Sequence, residues 1–371
     1  MRQVTLFKSL ICPEAHERVK KVLESGWIGQ GPVVKEFEEA FAGYIGTKYA
    51  VATNSGTEAL RIAVLSMGLK PGTKVLTTPN TFVSTNHVLL QSGLEPIFCD
   101  IDPSNGNIDV ESVYYMLRNT PDIKGIMIVH YSGIPVDLEQ VYDLAKEYGA
   151  KVIEDCAHAA GAEYHKRKIG TNATFACFSF AAVKNLTTGD GGMFLTNDEK
   201  IYEKARMISW MGIDKSTASR TTDKVYQWGY NVPYLGTKSN MTDITAAIGV
   251  EQLKHLDEWN NHRTKIRNWY VEHSPKGLRF SPEYQDRKSA NHFVFLRTLY
   301  KTNLVKYLRD NGVQTGFHYR SNLDYPMYEK CKHDTQTGMA EWTSTAISMP
   351  THLYMTEEDV VYITDKIKEF M

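Results

Sequence analysis

Short apolar runs that alternate with segments of helical spacing limit the fold of this chain more than any other feature. Five such runs occupy residues 49–53, 74–78, 96–100, 125–130 and 150–155. Between the last two runs, residues 137–149 place their apolar side chains on one helical face. Strands that are apolar throughout are buried on both faces, which is typical of parallel sheets covered by helices. The pattern therefore predicts an α/β fold with a mostly parallel sheet flanked by helices.

The two ends of the chain show other patterns. Residues 14–25 predict a helix that ends at Gly26, and a second helix is predicted after Pro32. The polar and aromatic stretch 212–240 predicts a long functional or interfacial loop. Beyond it we predict one helix over 241–273 capped by Thr242, a loop at 273–290, a strand at 292–296, and helices near 303–312 and 357–370. We therefore expect a large domain over 1–245 and a small α+β domain over 246–371.

Charge and cysteine usage exclude several classes of function. Lys and Arg number 42 against 43 Asp and Glu, so the chain lacks the basic surface of a nucleic-acid-binding protein. No apolar run approaches the ~20 residues of a membrane span, and the N-terminal apolar stretch, broken by Lys8, has no secretory cleavage pattern. The five scattered cysteines contain no CxxC pair, which argues against a disulfide framework and a metal site. We expect a cytoplasmic protein that binds neither nucleic acid nor membrane.

Two candidate sites follow predicted strands, because ligands of open parallel sheets bind beyond the carboxyl ends of the strands. After residues 49–53 comes Asn54-Ser55-Gly56-Thr57-Glu58, where the N-terminus of a helix offers free N–H groups to a phosphate. An ordinary turn capped by Ser55 would account for the same residues. At the end of 150–155, Asp155 is an acid that needs a partner once it is desolvated. A cationic heterocycle nitrogen would serve, but Asp155 could equally cap the next turn, and His158 alone could be structural.

The third candidate is Lys184, which lies between the apolar run 178–180 and the turn Gly189-Asp190-Gly191-Gly192. A lysine in an apolar pocket has a lowered pKa and becomes a nucleophile toward an aldehyde. A solvated lysine on a turn is the alternative for this residue alone. Together, a phosphate site, an acid for a pyridinium nitrogen and a Schiff-base lysine are the protein groups that pyridoxal 5'-phosphate (PLP) requires.

Over essentially its whole length the chain resembles the DegT/StrS family of sugar aminotransferases, which are fold type I enzymes that use PLP. The resemblance rests on residues 25–32, 54–57, 79–85, 129–133, 154–158, 178–180, 184–192, 239–244 and 316–319. Within the family, residues 79–85, 129–136 and 311–320 are most similar to the branch that makes UDP-4-amino-4-deoxy-L-arabinose. The resemblance implies the fold type I aminotransferase architecture.

The resemblance implies catalytic roles for three residues and substrate contacts for two more. Lys184 would bind the cofactor covalently and afterwards shuttle the proton during amino transfer. Asp155 would pair with the pyridinium nitrogen, and His158 would lie near the O3′ edge of the cofactor. His318 and Tyr319 would face the substrate from the small domain.

The resemblance also implies a binding site shared between two chains. Gly56 and Thr57 would hold the cofactor phosphate with their backbone, and Ser179 would hold it with its hydroxyl. Phe82 would stack on the cofactor ring. Asn240 would reach the phosphate from the neighbouring subunit, which implies a homodimer.

The resulting hypothesis is a transaminase that moves an amino group from L-glutamate to a keto-sugar, expected to be nucleotide-linked, in amino-sugar biosynthesis for cell-surface glycans such as lipopolysaccharide. Relatives place a second histidine soon after the His-Tyr pair, and residues 320–325 contain none, so a nucleotide-free keto- or aldo-sugar or a sugar acid stays open. A family dehydrase carries histidine where Lys184 stands. An amino-acid aminotransferase would need an arginine on the α-carboxylate, for which Arg320 is the candidate. A non-catalytic PLP-binding regulatory protein is the alternative from another class.

Overall fold

The computed structural model describes residues 2–215 and 229–371, so the middle of the predicted loop at 212–240 lies outside the described residues. The α-helices of the described residues are α1 (Pro13–Ser25), α2 (Pro32–Ile45), α3 (Gly56–Met67), α4 (Ser84–Gln91), α5 (Val110–Asn119), α6 (Leu138–Tyr148), α7 (Glu199–Ser209), α8 (Asp243–Leu253), α9 (Leu256–His273), α10 (Lys301–Asp310), α11 (Thr337–Thr345) and α12 (Glu357–Phe370). Short 3₁₀ helices lie at Tyr131–Gly133, Asn322–Asp324 and Pro326–Tyr328.

The strands of the described residues are β1 (Tyr49–Thr53), β2 (Lys74–Thr77), β3 (Glu95–Phe98), β4 (Ile123–Val129), β5 (Lys151–Asp155), β6 (Glu163–Tyr164), β7 (Arg167–Lys168), β8 (Ala176–Ser179), β9 (Gly192–Thr196), β10 (Arg279–Phe280), β11 (Arg287–Lys288), β12 (Val294–Arg297) and β13 (Ala346–Met349). The five predicted N-terminal strands are confirmed, each with ends within a few residues of the prediction.

A seven-stranded sheet in the order β1-β9-β8-β5-β4-β2-β3 forms the larger part of the fold. Strands β8, β5, β4, β2 and β3 run parallel, whereas β9 is antiparallel to both of its neighbours. The predicted mostly parallel sheet is therefore confirmed. Because β1 is antiparallel to β9, it runs in the same direction as β8 and β5, and the carboxyl ends of these three strands lie at one edge.

Helices cover both faces of this sheet and bury two separate apolar layers. One layer includes Phe37 and Phe41 of α2 against Phe178 of β8. The opposite layer includes Ile62 of α3 against Phe194 of β9. Strands with apolar residues at every position are stable only in such a doubly covered sheet. The two layers hold the strand ends, and hence the candidate site residues, in fixed positions.

A three-stranded antiparallel sheet, β10-β12-β13, lies in the C-terminal part of the chain. Its apolar face packs with α9, α10 and α12 through side chains that include Ile266, Leu304 and Ile363. The strand predicted at 292–296 is confirmed with a small shift. The predicted loop at 273–290 is wrong in part, because it contains the two-residue strands β10 and β11.

The prediction of one continuous helix over 241–273 is wrong. The N–H groups of Lys254 and His255 each bond to the carbonyl three residues back, at 3.2 Å, and this tighter turn separates α8 from α9. The two helices pack on different neighbours, α8 on α1 and α2 and α9 on α12, so the break redirects the chain. The predicted cap is confirmed, since the Thr242 hydroxyl accepts a hydrogen bond from the Thr245 N–H. Among the described residues, no helix combines the length and apolar character that a membrane crossing requires.

Candidate active site

The predicted phosphate site lies where α3 begins, directly after β1. The Ser55 side chain caps the helix by accepting a hydrogen bond of 3.2 Å from the Glu58 N–H. The first N–H groups of the helix, including those of Gly56 and Thr57, have no partner within the helix and carry the positive end of its dipole. A Cβ on Gly56 would lie 2.7 Å from the Ser179 Cβ, so glycine lets the end of β8 come close. Gly56, Thr57 and Ser179 thus form one cradle suited to a phosphate.

Asp155 is a buried carboxylate at the carboxyl end of β5, with an exposed fraction of 3%. The Thr85 hydroxyl donates to one carboxylate oxygen at 2.8 Å, and the Ala157 N–H donates to the other at 3.0 Å. Burial raises the pKa of Asp155, while these hydrogen bonds and the charge of Lys184 lower it, with burial the larger effect. A cationic partner would stabilise the ionised form of such a buried carboxylate. The protonated ring nitrogen of PLP fits that requirement.

Lys184 lies on a loop that backbone hydrogen bonds close at its base. Phe180 accepts a hydrogen bond from the Thr188 N–H at 2.9 Å and donates one to Gly191 at 2.8 Å. Burial lowers the pKa of Lys184 to about 8, although the charge of Asp155 acts in the opposite direction. The amine is therefore available as a nucleophile near neutral pH.

His158 lies between the carboxyl end of β5 and the segment at 316–319. The Ser132 N–H donates to its Nδ1 at 3.3 Å, so Nε2 carries the proton of the neutral ring and donates to the Tyr319 hydroxyl at 3.1 Å. Burial, and then the nearby Lys184, hold the pKa of His158 well below its usual value. The imidazole is therefore neutral and has a defined tautomer.

The structure brings both predicted substrate residues to the same place. The Tyr319 backbone N–H donates to Asn80 at 3.1 Å, and the Phe82 ring, which is 56% exposed, lies 6.2 Å from the Tyr319 ring. The His318 Nδ1 lies 2.7 Å from the Ser348 hydroxyl, and burial lowers the His318 pKa to about 4. Phe82, His318 and Tyr319 thus border the region of His158 from one side.

The backbone of Asn240 lies close to the start of α3 within its own chain. Its backbone pairs with Thr53 at the end of β1, and its side-chain oxygen accepts a hydrogen bond of 2.5 Å from Lys238. Among the contacts of residues 2–215 and 229–371, none joins its side chain to another predicted site residue. It lines an open groove with Trp27 and Ile28, both of which are exposed.

The sequence patterns miss several residues that support the site. Thr85 bonds to Asp155 from 70 positions away, and Asn185 and His292 contact each other across 107 positions. The Tyr131 hydroxyl donates to the His318 carbonyl across 187 positions. Thr85 lies within a segment that carries the family resemblance, but no local pattern marks His292, because its contacts arise only from the tertiary fold.

Comparisons with known proteins identify the family and agree with the fold. The model of the DegT/DnrJ/EryC1/StrS aminotransferase family matches residues 10–368. The spore coat polysaccharide biosynthesis protein SpsC of Bacillus subtilis is 34% identical over 98% of this chain and 95% of its own length. The sugar aminotransferase CalS13 from Micromonospora echinospora is 29% identical over all of both chains, with a TM-score of 0.91. Spr1654 from Streptococcus pneumoniae, solved in its PMP form, is 25% identical over 98% of both chains, with a TM-score of 0.90.

Proposed function

This chain belongs to the DegT/DnrJ/EryC1/StrS aminotransferase family and is a PLP-dependent sugar aminotransferase, and from that premise we propose that it transfers an amino group from L-glutamate to a nucleotide-linked keto-sugar for the synthesis of cell-surface polysaccharide. The observation that carries this proposal is that Lys184, with its pKa near 8, and the buried acid Asp155 lie close enough for the charge of each to act on the pKa of the other. The relative SpsC is named as a spore coat polysaccharide biosynthesis protein, which supports a role in polysaccharide synthesis.

The residues present fit PLP at each of its polar groups. Lys184 would hold its aldehyde carbon, Asp155 its ring nitrogen, and His158 its O3′ edge. Its phosphate would lie at the cradle of Gly56, Thr57 and Ser179, and Phe82 would cover its ring. When bound, PLP supplies an electron sink for the carbon that loses a proton.

Lys184, Asp155 and His158 would each have a separate role in amino transfer. At pH 7.5 a pKa near 8 leaves about a quarter of Lys184 as the free amine, against about a thousandth for an ordinary lysine. The Lys184 amine can therefore take a proton from the reacting carbon and return it. The Asp155 carboxylate favours a protonated ring nitrogen, and neutral His158 donates a hydrogen bond without adding charge.

We propose that the working form is a homodimer in which Asn240 serves the neighbouring subunit. Asn240 lines a groove bordered by the exposed Trp27 and Ile28, and Leu235 close by in the sequence is 95% exposed. Apolar side chains at such positions favour a protein contact, and a second copy of the chain is the occupant that would also bring Asn240 to a cofactor. We also place the enzyme in the cytoplasm, where its five free cysteines would stay reduced.

A nucleotide-free sugar is the second candidate substrate. Arg320, the first charged group after the His-Tyr pair, already pairs with Asp324 at 3.3 Å and lies over the Tyr325 ring at 5.2 Å. Residues 320–325 contain no second histidine, and their one arginine is already paired with an acid. The same pairing disfavours Arg320 as a grip on the α-carboxylate of an amino acid.

The proposal is tested on the holoenzyme. L-Glutamate should convert the absorbance of bound PLP to that of the pyridoxamine form, and a nucleotide-linked keto-sugar should restore it. The same sugar without its nucleotide should fail to do so, and success with it would favour the second candidate. Lys184→Ala should abolish turnover, whereas Lys204→Ala on α7 should retain it. Full turnover by Lys184→Ala would overturn the assignment.

A further inference from the structure

Four rings form a near-parallel column that begins at the N-terminal segment and ends at the substrate side of the site. Phe7 stacks on His292 with centroids 6.2 Å apart and planes at 23°, and His292 stacks on His158 at 4.7 Å and 27°. His158 in turn stacks on Tyr319 at 6.0 Å and 18°. The tightest step in the column joins the two histidines, which are 2% and 3% exposed.

Asn185, the residue after Lys184, determines which nitrogen of His292 carries the proton. The Asn185 amide nitrogen donates to Asn260 at 2.8 Å and to the Ala290 carbonyl at 2.7 Å, so both of its hydrogens are used. Its amide oxygen therefore faces the His292 Nδ1 at 2.9 Å and accepts that proton. The ring plane of His292 is thus set by a buried amide that is itself held at two points.

Burial and the titratable groups around His292 keep it neutral. Burial lowers its pKa well below the usual value, and the groups of Lys184, His158, Arg263 and His318 act in the same direction. A neutral ring with Nδ1 protonated presents its face to His158 without charge repulsion. The hydrogen bond to Asn185 and the stacked ring of Phe7 together orient it.

His158 has weaker polar restraints of its own. Its hydrogen bond from the Ser132 N–H is 3.3 Å long, and that to Tyr319 is 3.1 Å. A neutral imidazole held by two long hydrogen bonds can rotate or exchange tautomers unless its faces are packed. His292 and Tyr319 both stack on this ring, which supplies the missing restraint.

We propose that His292 is a positioning residue that holds the ring plane of His158, so that Nδ1 stays on the Ser132 N–H and the proton stays on Nε2, and that Asn185 sets His292 for this task. The inference rests on the proposed function only in so far as His158 lies beside the bound cofactor. The residue directly after Lys184 thus has a role in the site, because the loop that carries the lysine also orders the histidine column.

The test compares His292→Ala with His292→Phe, which keeps a flat ring in the column. In His292→Ala, kcat should fall about tenfold to a hundredfold, with KM for both substrates changed less than about threefold. The midpoint of the pH titration of the cofactor absorbance should move by about one unit. His292→Phe should restore most of both properties. His262→Ala is the matched control, since it removes a part-buried imidazole from the same helix as Asn260.

A second measurement uses the apoenzyme and does not depend on substrate or cofactor. Nitrogen NMR of ¹⁵N-histidine-labelled protein should show His158 as the Nε2–H tautomer in wild type and in His292→Phe, and as a mixture in His292→Ala. The same tautomer in all three proteins, or an unshifted absorbance midpoint in a folded His292→Ala, would overturn the inference. Failure of the wild-type holoenzyme to react with glutamate would instead overturn the proposed function and leave the NMR result to decide the role of His292.

Discussion

The Thr85 hydroxyl donates a hydrogen bond of 2.8 Å to the Asp155 carboxylate, and the two residues are both buried. This bond favours the ionised acid, because a hydroxyl donor stabilises the charged form. Thr85 also lies 2.7 Å, oxygen to oxygen, from Thr81, so its hydroxyl is part of a short chain of polar groups. The acid that would face the cofactor nitrogen therefore depends on a residue at the start of α4.

Thr85→Val should remove this donor while it keeps the volume of the side chain. The loss of a hydrogen bond to a charged group amounts to about 1.5–3 kcal/mol, so we expect a higher Asp155 pKa and a kcat lower by about tenfold or more. Thr364→Val on α12 is the control, since that buried hydroxyl donates to a neutral carbonyl far from the site along the chain. Steady-state kinetics with both variants decides the point, and equal kcat values in the two would count against a role for Thr85.

Gly56→Ala should reduce the affinity for PLP. The added Cβ would lie 2.7 Å from the Ser179 Cβ and 2.9 Å from its hydroxyl, so either the start of α3 or the end of β8 must move. We expect a loss of about 1–3 kcal/mol in the free energy of unfolding and a PLP dissociation constant raised at least about tenfold. Urea unfolding and fluorescence titration of the apoenzyme measure both.

Gly43→Ala is the matched control for this substitution, because the Cβ at that position of α2 would meet no atom within 4 Å. It should raise the free energy of unfolding by about 0.5–1 kcal/mol, since alanine is the better helix former. PLP affinity should be unchanged. Equal PLP affinities for the two variants would show that the cradle does not hold the phosphate.

The sequence predicts the sheet well but not the break between α8 and α9 or the supporting residues of the site. Buried parallel strands need apolar residues at every position, and that requirement is visible locally. The end of α1 can also be predicted from the sequence, because glycine favours the positive φ at which helices often end. Gly26 indeed has a φ of 73°. No glycine or proline marks the break at Lys254, which arises because α8 and α9 pack on different helices. His292 is equally invisible, since its role depends on Asn185, which is 107 positions away.

The rate at which apoenzyme captures PLP should rise with pH through a midpoint at about 8 and level off above about pH 9. Capture needs the free amine of Lys184, whose pKa is lowered to about 8, so the amine fraction increases as pH rises through that value. Asp155 raises this pKa by its negative charge, and Asp155→Asn should therefore move the midpoint to lower pH. Stopped-flow absorbance from pH 6 to 10 gives the profile.

Asp190→Asn serves as the control for this experiment, because Asp190 is an exposed acid on the same loop as Lys184. Its substitution should leave the midpoint in place. A wild-type midpoint near the ordinary lysine value would contradict the effect of burial. A midpoint that does not move in Asp155→Asn would contradict the charge coupling between the two residues.

Mixed dimers can decide which subunit Asn240 serves. If Asn240 acts across the interface, a dimer of one Lys184→Ala chain and one Asn240→Ala chain contains one site with both substitutions and one intact site. Such heterodimers should show about half the activity of wild type, whereas each homodimeric variant is impaired. If Asn240 acts within its own chain, both sites of the heterodimer carry one substitution and activity stays low. Purification through two different affinity tags isolates the heterodimer, and Asn119→Ala paired with Lys184→Ala is the control, expected to give half activity under either arrangement.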